Sequence, residues 1–159
     1  MPAGWCYGAS DVPIDDAHLD ALAAALPAVL PRGARLWSSP LSRCLRLARA
    51  LEPRLGEARV DARLREMDFG RWEGRPWTEV PREQLDAWRD DLEHYAPPGG
   101  ESLAAPAGTD AVAVTHAGVI LTLARIVRGL PLSEFGGLRV DYGQVVTLVD
   151  GPAGWSVEA

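Results

Sequence analysis

The chain has 159 residues, of which 47% are hydrophobic and 24% are charged, a balance typical of one globular domain with a single core. The formal net charge of −6 argues against a nucleic-acid partner, which requires a basic face, and the absence of lysine excludes a Schiff base. Two isolated cysteines, no apolar run of membrane-spanning length and no signal peptide predict a cytoplasmic protein without a disulfide framework or a membrane partner.

The first part of the chain is predicted to form a loop and then a helix. Residues 1–14 are rich in glycine and small polar side chains, which favours a loop. A helix is predicted to begin at Asp15 and Asp16, because apolar residues then recur every three or four positions. These residues are Leu19, Leu22, Leu26, Val29 and Leu30. We expect Pro27 to bend this helix or to end it early.

A strand and a second helix are predicted to follow. Residues 34–38 have the pattern of a short strand. Ser39 and Pro40 are expected to be the N-cap and the first residue of the next helix, and we expect that helix to stop before Pro53. Residues 63–77 are predicted to be irregular, because they are rich in glycine, tryptophan and charge.

Strands and helices alternate in the second half of the chain. The predicted elements are a helix over 85–92 closed by a turn at 97–100, a strand over 111–115, a largely buried helix over 119–130, and strands over 145–149 and 155–157 that pair across a turn. Alternating strands and helices indicate a layered α/β fold.

His116 stands at the end of a predicted buried strand and is followed closely by Gly118. Open α/β sheets bind ligands at the carboxyl ends of their strands, and the helix start that follows attracts anions. Gly118 would let a ligand approach the backbone closely. The alternative interpretation is a buried histidine whose nitrogens are satisfied by the backbone, and the segment alone leaves both open.

Arg43 lies in the first turn of the second predicted helix, away from its apolar face. A guanidinium at that place adds a fork of donors to the free N–H groups of the helix start. This arrangement would bind phosphate. A solvated surface arginine is the competing interpretation.

Residues 64–74 concentrate carboxylates, aromatic rings and glycines in one predicted loop. A carboxyl packed near Phe69 and Trp72 could have a raised pKa and act as a general acid. A charged surface loop anchored by its aromatic side chains remains the alternative.

Metal and nucleotide chemistry are not supported by the sequence. The three histidines, His18, His94 and His116, lie in different settings, and no pair of cysteine or histidine residues has the spacing of a zinc site. No nucleophile elbow and no glycine-rich nucleotide motif is present. We therefore predict no metal and no cofactor.

Taken in order, these segments resemble the histidine phosphatase superfamily, which has the phosphoglycerate mutase-like fold. The matching blocks are residues 39–43, 64–74, 98–102 and 114–118, and the opening at 4–13 resembles the bacterial branch that includes α-ribazole phosphatases. The resemblance implies one α/β domain over residues 1–159, with three layers and a mostly parallel central sheet flanked by helices.

The resemblance also implies roles for individual residues. Arg43, Ser10 and Ala117 would bind the phosphoryl group, and His116 would donate a hydrogen bond to one of its oxygens. Glu66 matches the proton donor to the leaving oxygen. The family needs no metal, and its substrates would be small-molecule phosphomonoesters.

Two parts of the family pattern have no counterpart in this sequence. The nucleophilic histidine belongs to an Arg-His-Gly motif that ends an N-terminal strand, and the sequence, which begins at Met1, lacks this motif. The segment 103–109 is too short for the long helix that the family usually has there. We expect the missing strand to lie between the strands ending at Ser38 and Thr115, so that its loss would leave two rows of backbone groups unpaired.

The sequence therefore predicts a phosphomonoester hydrolase that works through a phosphohistidine intermediate in the intact protein. A noncatalytic module that binds phosphate is the first alternative, because the nucleophile is not in the sequence. A phosphomutase is the second, because the same intermediate can return the phosphoryl group to a substrate hydroxyl.

Overall fold

A computed structural model describes residues 4–91, 95–100, 111–128, 140–151 and 154–158. The chain divides into two compact units. We call residues 11–66 and 106–116 the sheet unit, and residues 1–10, 67–105 and 117–159 the aromatic unit. The segment 103–109, the turn residues 101 and 102, and Leu92, His94 and Leu130 lie outside the described residues, so the predictions made for them remain predictions.

The predicted helices and longer strands occur in the predicted order, but the short strands at Trp5–Cys6, inside the segment expected to be a loop, and at Arg59–Val60 were not predicted. The helices are α1 (Asp16–Ala25), α2 (Ser42–Leu55), α3 (Arg82–Asp90) and α4 (Ala117–Arg128). The strands are β1 (Trp5–Cys6), β2 (Arg35–Ser38), β3 (Arg59–Val60), β4 (Arg75–Pro76), β5 (Ala111–Val114), β6 (Thr147–Gly151) and β7 (Gly154–Glu158). The irregular region predicted over 63–77 contains 3₁₀ turns and the short strand β4. No helix among the described residues has the length and apolar character needed to cross a bilayer.

The sheet unit is built on a parallel sheet with the strand order β3-β2-β5. Strand β2 pairs directly with β5, and Ser38 lies opposite Val114. The expectation of a missing strand between these two is therefore wrong, because their backbone groups bond to each other. Side chains from α1, α2 and this sheet form one apolar core.

Helix α1 follows the local sequence signals. Asp15 is its N-cap, and the Asp15 carboxylate accepts a hydrogen bond of 3.0 Å from the backbone N–H of His18. The helix ends at Ala25, and Pro27 lies in the 3₁₀ turn that follows, as the sequence predicts. The capping carboxylate satisfies one of the N–H groups that a helix start leaves unpaired.

Helix α2 departs from its predicted bounds at both ends. It begins at Ser42, so Ser39 and Pro40 lie before it. It continues through Pro53 to Leu55, where we predicted a stop. Proline removes one backbone donor, and Pro53 is exposed, so the carbonyl that loses its intrahelical partner is on the side of the helix that faces water. The buried side of α2 presents Cys44, Leu47, Ala48, Leu51 and Leu55.

The aromatic unit has a core of rings. Trp72 is 2% exposed and packs among Phe69, Trp77, Trp88 and Tyr95. Its indole N–H donates to the side-chain oxygen of Gln84 at 2.8 Å, which satisfies the one polar atom of the ring.

Two further parts of the aromatic unit were predicted from the sequence. Strands β6 and β7 form the antiparallel hairpin, and α4 lies against β7. Within α4, Thr122, Ala124 and Arg125 are buried. The alternation of helices and strands with a parallel sheet confirms the predicted α/β class.

Candidate functional site

The candidate site lies in the sheet unit, where β2 and β5 end. His116 follows β5 and is 7% exposed, and Ser39 follows β2 and is fully buried. The backbone N–H of Ser39 donates to the carbonyl of Val114 at 3.0 Å. Because parallel strands end at the same edge of a sheet, residues 77 positions apart are brought into contact.

The partners of the His116 ring define its tautomer. Arg43 Nε–H donates to His116 Nδ1 over 3.3 Å. A guanidinium can only donate, so Nδ1 carries the lone pair. The ring proton is therefore on Nε2, which lies 2.9 Å from Ser39 Oγ and donates to it. Both ring nitrogens thus have partners in the sheet unit.

His116 is neutral near pH 7. Burial and, to a smaller extent, the Arg43 guanidinium lower its pKa from the ordinary 6.5 to about 3, while the Asp11 carboxylate acts in the opposite direction. Protonation of a buried imidazole beside a cation costs more free energy than protonation of an imidazole in water. The neutral ring can both accept a hydrogen bond and donate one.

Cys44 is a neighbour of His116 that sequence analysis treated only as part of an apolar helix face. Its Sγ lies 3.5 Å from His116 Nε2, and its thiol donates to the carbonyl of Thr115 over 3.6 Å. Burial raises the pKa of this thiol to about 12; Arg43 opposes that effect, and Glu66 and Asp11 add to it. The thiol is therefore uncharged and is a poor nucleophile.

Arg43 occupies the place that the sequence predicts for it. It is the second residue of α2 and is half-buried. The start of α2 is capped by a residue far away in sequence: Asp11 Oδ1 accepts hydrogen bonds of 2.8 Å from both the N–H and the hydroxyl of Ser42. Among the described residues, a carboxylate thus already occupies part of the helix start that we expected to attract an anion.

Glu66 lies within electrostatic reach of this cluster. It is half-buried in the sheet unit, and its charge acts on the Cys44 thiol, which touches His116. The chain just before Glu66 is tied to the end of β5, because the Thr115 hydroxyl donates to the carbonyl of Leu64 at 2.8 Å. The sheet unit therefore brings Arg43 and His116 into contact and places the charge of Glu66 nearby.

The other two predicted ligands belong to the aromatic unit. Ser10 is exposed, and its N–H and hydroxyl both donate to the Glu73 carboxylate. Ala117 is exposed at the first position of α4. Their roles as phosphate ligands depend on the resemblance alone.

The sequence led us to expect a carboxyl with a raised pKa near Phe69 and Trp72, but the pKa of Glu73 is lowered. Burial raises its pKa, but hydrogen bonds from Ser10, Phe69 and Ala9 outweigh burial and lower it. Three of these bonds come from the backbone N–H groups of Ala9, Ser10 and Phe69, at 2.8, 2.7 and 3.1 Å. Glu73 is ionised at neutral pH and is no general acid.

The described ranges contain no metal-binding geometry: no group of three or more His, Cys, Asp or Glu side chains there is placed to hold a metal ion. Both cysteines, Cys6 and Cys44, are buried and free.

Comparisons with known proteins find relatives among phosphatases. A family model described as the histidine phosphatase superfamily (branch 1) matches residues 3–107, which include Ser10, Arg43 and Glu66. A curated glucosyl-3-phosphoglycerate phosphatase from Mycolicibacterium vanbaalenii is 36% identical over 125 residues, which are 62% of this chain and 55% of that protein. The match thus spans little more than half the length of the relative.

Solved structures show the same fold. A putative alpha-ribazole-5'-P phosphatase from Escherichia coli superposes with a TM-score of 0.78 at 23% identity, over 98% of this chain and 86% of the other. A mycobacterial glucosyl-3-phosphoglycerate phosphatase in complex with VO3 gives a TM-score of 0.78 at 25% identity, over 98% and 90% of the two chains. The predicted phosphoglycerate mutase-like fold is confirmed by these neighbours.

Proposed function

Because this chain belongs to the histidine phosphatase superfamily, we propose that it acts on small-molecule phosphomonoesters. The observation that carries the proposal is the contact between the Arg43 guanidinium and the His116 imidazole at the carboxyl ends of β2 and β5. Within the sheet unit, this contact joins a permanent cation and a neutral ring that can donate a hydrogen bond. Such groups stabilise the charge that spreads over phosphoryl oxygens in a transition state.

The proposed reaction has two steps. A histidine nitrogen attacks phosphorus, the P–O ester bond breaks, and Glu66 gives its proton to the leaving oxygen. Water then attacks the phosphohistidine, the P–N bond breaks, and the proton from water goes to the Glu66 carboxylate. Splitting one displacement into two easier steps is the advantage of a covalent intermediate.

In this scheme Arg43 and His116 bind the phosphoryl group, with Ser10 and Ala117 as further ligands by resemblance. The nucleophile would be the histidine of an Arg-His-Gly motif, which residues 1–159 do not contain. His116 itself keeps the supporting role, because both of its nitrogens are already engaged by Arg43 and Ser39.

Brief exposure of the intact protein, which carries the nucleophilic histidine, to a radiolabelled phosphomonoester tests the proposal. Label on the chain that is stable to base and labile to acid identifies phosphohistidine, and released inorganic phosphate identifies hydrolysis. Matched variants His116→Ala and His18→Ala distinguish the site from an exposed histidine of α1. Glucosyl-3-phosphoglycerate and α-ribazole 5'-phosphate, the substrates named for relatives, are the first esters to compare.

Two other outcomes correspond to the alternative functions. Saturable phosphate binding without any label would favour a noncatalytic module, which the observed Arg43–His116 contact could still support. Transfer of label from a bisphosphate to the hydroxyl of a second molecule would favour a phosphomutase. A chain that neither binds phosphate nor accepts label would contradict all three functions.

A further inference from the structure

Both ring nitrogens of His116 are hydrogen-bonded to protein atoms, so the ring has no N–H group directed towards a ligand. The single ring proton, on Nε2, is directed at Ser39 Oγ, and the lone pair of Nδ1 is used by Arg43. A phosphoryl oxygen needs a donor. For His116 to supply one, a hydrogen bond of the ring must therefore change when phosphate binds.

Ser39 is the better fixed of the two partners. It is fully buried, and its backbone N–H bonds to Val114 of β5. Its Oγ also accepts the N–H of Leu41 over 3.3 Å. The acceptor for Nε2–H is thus held by the backbone on both sides, and breaking this contact would leave a buried imidazole N–H without its oxygen acceptor, which is unfavourable.

Arg43 is the more exposed of the two partners. Its side chain is half-buried, its guanidinium is a permanent cation, and by the proposed function it is itself a phosphate ligand. When Arg43 turns its Nε–H towards a phosphate dianion, His116 Nδ1 loses the donor that occupied its lone pair. The same dianion replaces the positive potential at the ring with a negative one.

The other charged and titratable groups around the ring do not oppose this change. The Cys44 thiol is neutral and touches the ring. Asp11 already favours the charged imidazole, and Glu66, when ionised, raises the pKa of Cys44. Of the charged groups that act on His116, Arg43 is thus the one that disfavours its protonation.

We propose that Ser39 is the positioning residue for His116, and that binding of a phosphate dianion moves the Arg43 Nε–H to the ligand while His116 takes up a proton at Nδ1. The proton comes from the buffer. The new Nδ1–H then donates to a phosphoryl oxygen, and Nε2–H stays on Ser39. This inference rests on the proposed function, because it takes Arg43 and His116 as ligands of the phosphoryl group.

Nuclear magnetic resonance of the ligand-free chain tests the role of Ser39 alone. With ring nitrogens labelled by 15N, His116 should show a protonated Nε2 and a bare Nδ1, and exposed His18 supplies a reference signal in the same spectrum. Because Arg43 still donates to Nδ1, Ser39→Ala should keep this tautomer but shift the Nε2–H proton signal and speed its exchange with water, whereas Ser39→Thr, which keeps the hydroxyl, should preserve the wild-type signal. An unchanged His116 signal in Ser39→Ala would overturn the positioning role.

Calorimetric titration with inorganic phosphate tests the proton uptake. At about pH 8 the dianion dominates, since the second ionisation lies below that value, and buffers of different ionisation enthalpy report the protons exchanged. We expect net proton uptake by the wild type and none by His116→Gln. Ser39→Ala should weaken phosphate binding by about three- to tenfold, the scale of one hydrogen bond, and Ser39→Thr should restore it.

The results separate failure of this inference from failure of the proposed function. Phosphate binding that depends on Arg43 but takes up no proton would overturn the inference and leave the proposed function standing. Absence of any phosphate binding would overturn the proposed function, whatever tautomer the free chain shows. It would also overturn the proposed proton uptake, which depends on phosphate binding.

Discussion

The His116 cluster in the sheet unit and the Glu73 carboxylate in the aromatic unit resolve the same conflict in opposite ways. Burial disfavours charge on both side chains. His116 has one donor and one acceptor beside it and stays neutral, whereas Glu73 receives hydrogen bonds from three backbone N–H groups and one hydroxyl and stays ionised. Burial is the main reason that His116 stays neutral, whereas for Glu73 the hydrogen bonds to the charged form outweigh burial.

The two regions also differ in what depends on them. The Glu73 carboxylate joins residues 9 and 10 to Phe69, which belongs to the ring cluster around Trp72. This region therefore stabilises the aromatic unit. The His116 cluster holds few apolar atoms but several groups that can bind an anion. We expect substitutions in the first region to affect stability most, and those in the second to affect activity most.

The largest expected effect is on stability, from Trp72→Ala. Removing a ring that is 2% exposed should lower the free energy of unfolding by about 3–5 kcal/mol, measured by urea denaturation. Trp72→Phe keeps one aromatic ring but loses the volume of the second ring and the donor to Gln84, so it should cost less, about 2 kcal/mol. Comparable losses from the two variants would mean that the cluster is loosely packed.

His116→Ala tests the other side of the comparison. Loss of one donor to the phosphoryl group should lower turnover of a phosphomonoester by about two to three orders of magnitude, in steady-state assays of the intact protein. Its effect on urea denaturation should be smaller than that of Trp72→Ala. Turnover within a few-fold of the wild type would remove His116 from the mechanism, and His18→Ala is the matched control.

Glu66→Gln separates the proposed acid from the ionised Glu73. An amide cannot deliver the proton, so alkyl phosphates with poor leaving groups should be hydrolysed about 100-fold more slowly, and activated aryl phosphates should be affected much less. The ratio of kcat/KM values for the two esters is the measurement. Equal slowing of both esters would show that Glu66 is not the acid.

Acid unfolding sharpens the contrast between the two titratable groups. The folded pKa of His116 lies below its ordinary 6.5, so the unfolded chain binds the extra proton, and stability should fall as pH decreases from about 6.5 towards 3, by at most about 1.4 kcal/mol per pH unit. The pKa of Glu73 is lowered from 4.5, so its contribution should be lost only as pH falls below about 4.5.

Variants assign each pH window to its residue. His116→Gln should reduce the loss of stability between about pH 6.5 and 4.5, and Glu73→Gln should leave that interval unchanged and alter the curve only at lower pH, with Glu79→Gln as the exposed control. Urea denaturation at several pH values gives the curves. A wild-type curve that is flat down to pH 4.5 would contradict the neutral, buried state of His116.

Patterns within a few residues were sufficient for much of the fold. The helix start at Asp15 and Asp16, the break at Pro27 and the β6–β7 hairpin are confirmed, because each depends on neighbours in sequence. The predicted start of α2 was wrong because it depends on a distant residue: Asp11, which caps this helix, lies 31 positions away from Ser42. Local capping signals at Ser39 could not reveal it.

The sequence by itself determined the α/β class, the order of the family blocks and the placing of Arg43 and His116 at the ends of their elements. Only the tertiary structure decided that β2 pairs directly with β5, that Ser39 and Cys44 contact His116, and that Glu73 is ionised. Strand pairing and charge state depend on groups that folding brings together from distant positions, and the chemistry of a side chain depends on those groups as much as on its own identity.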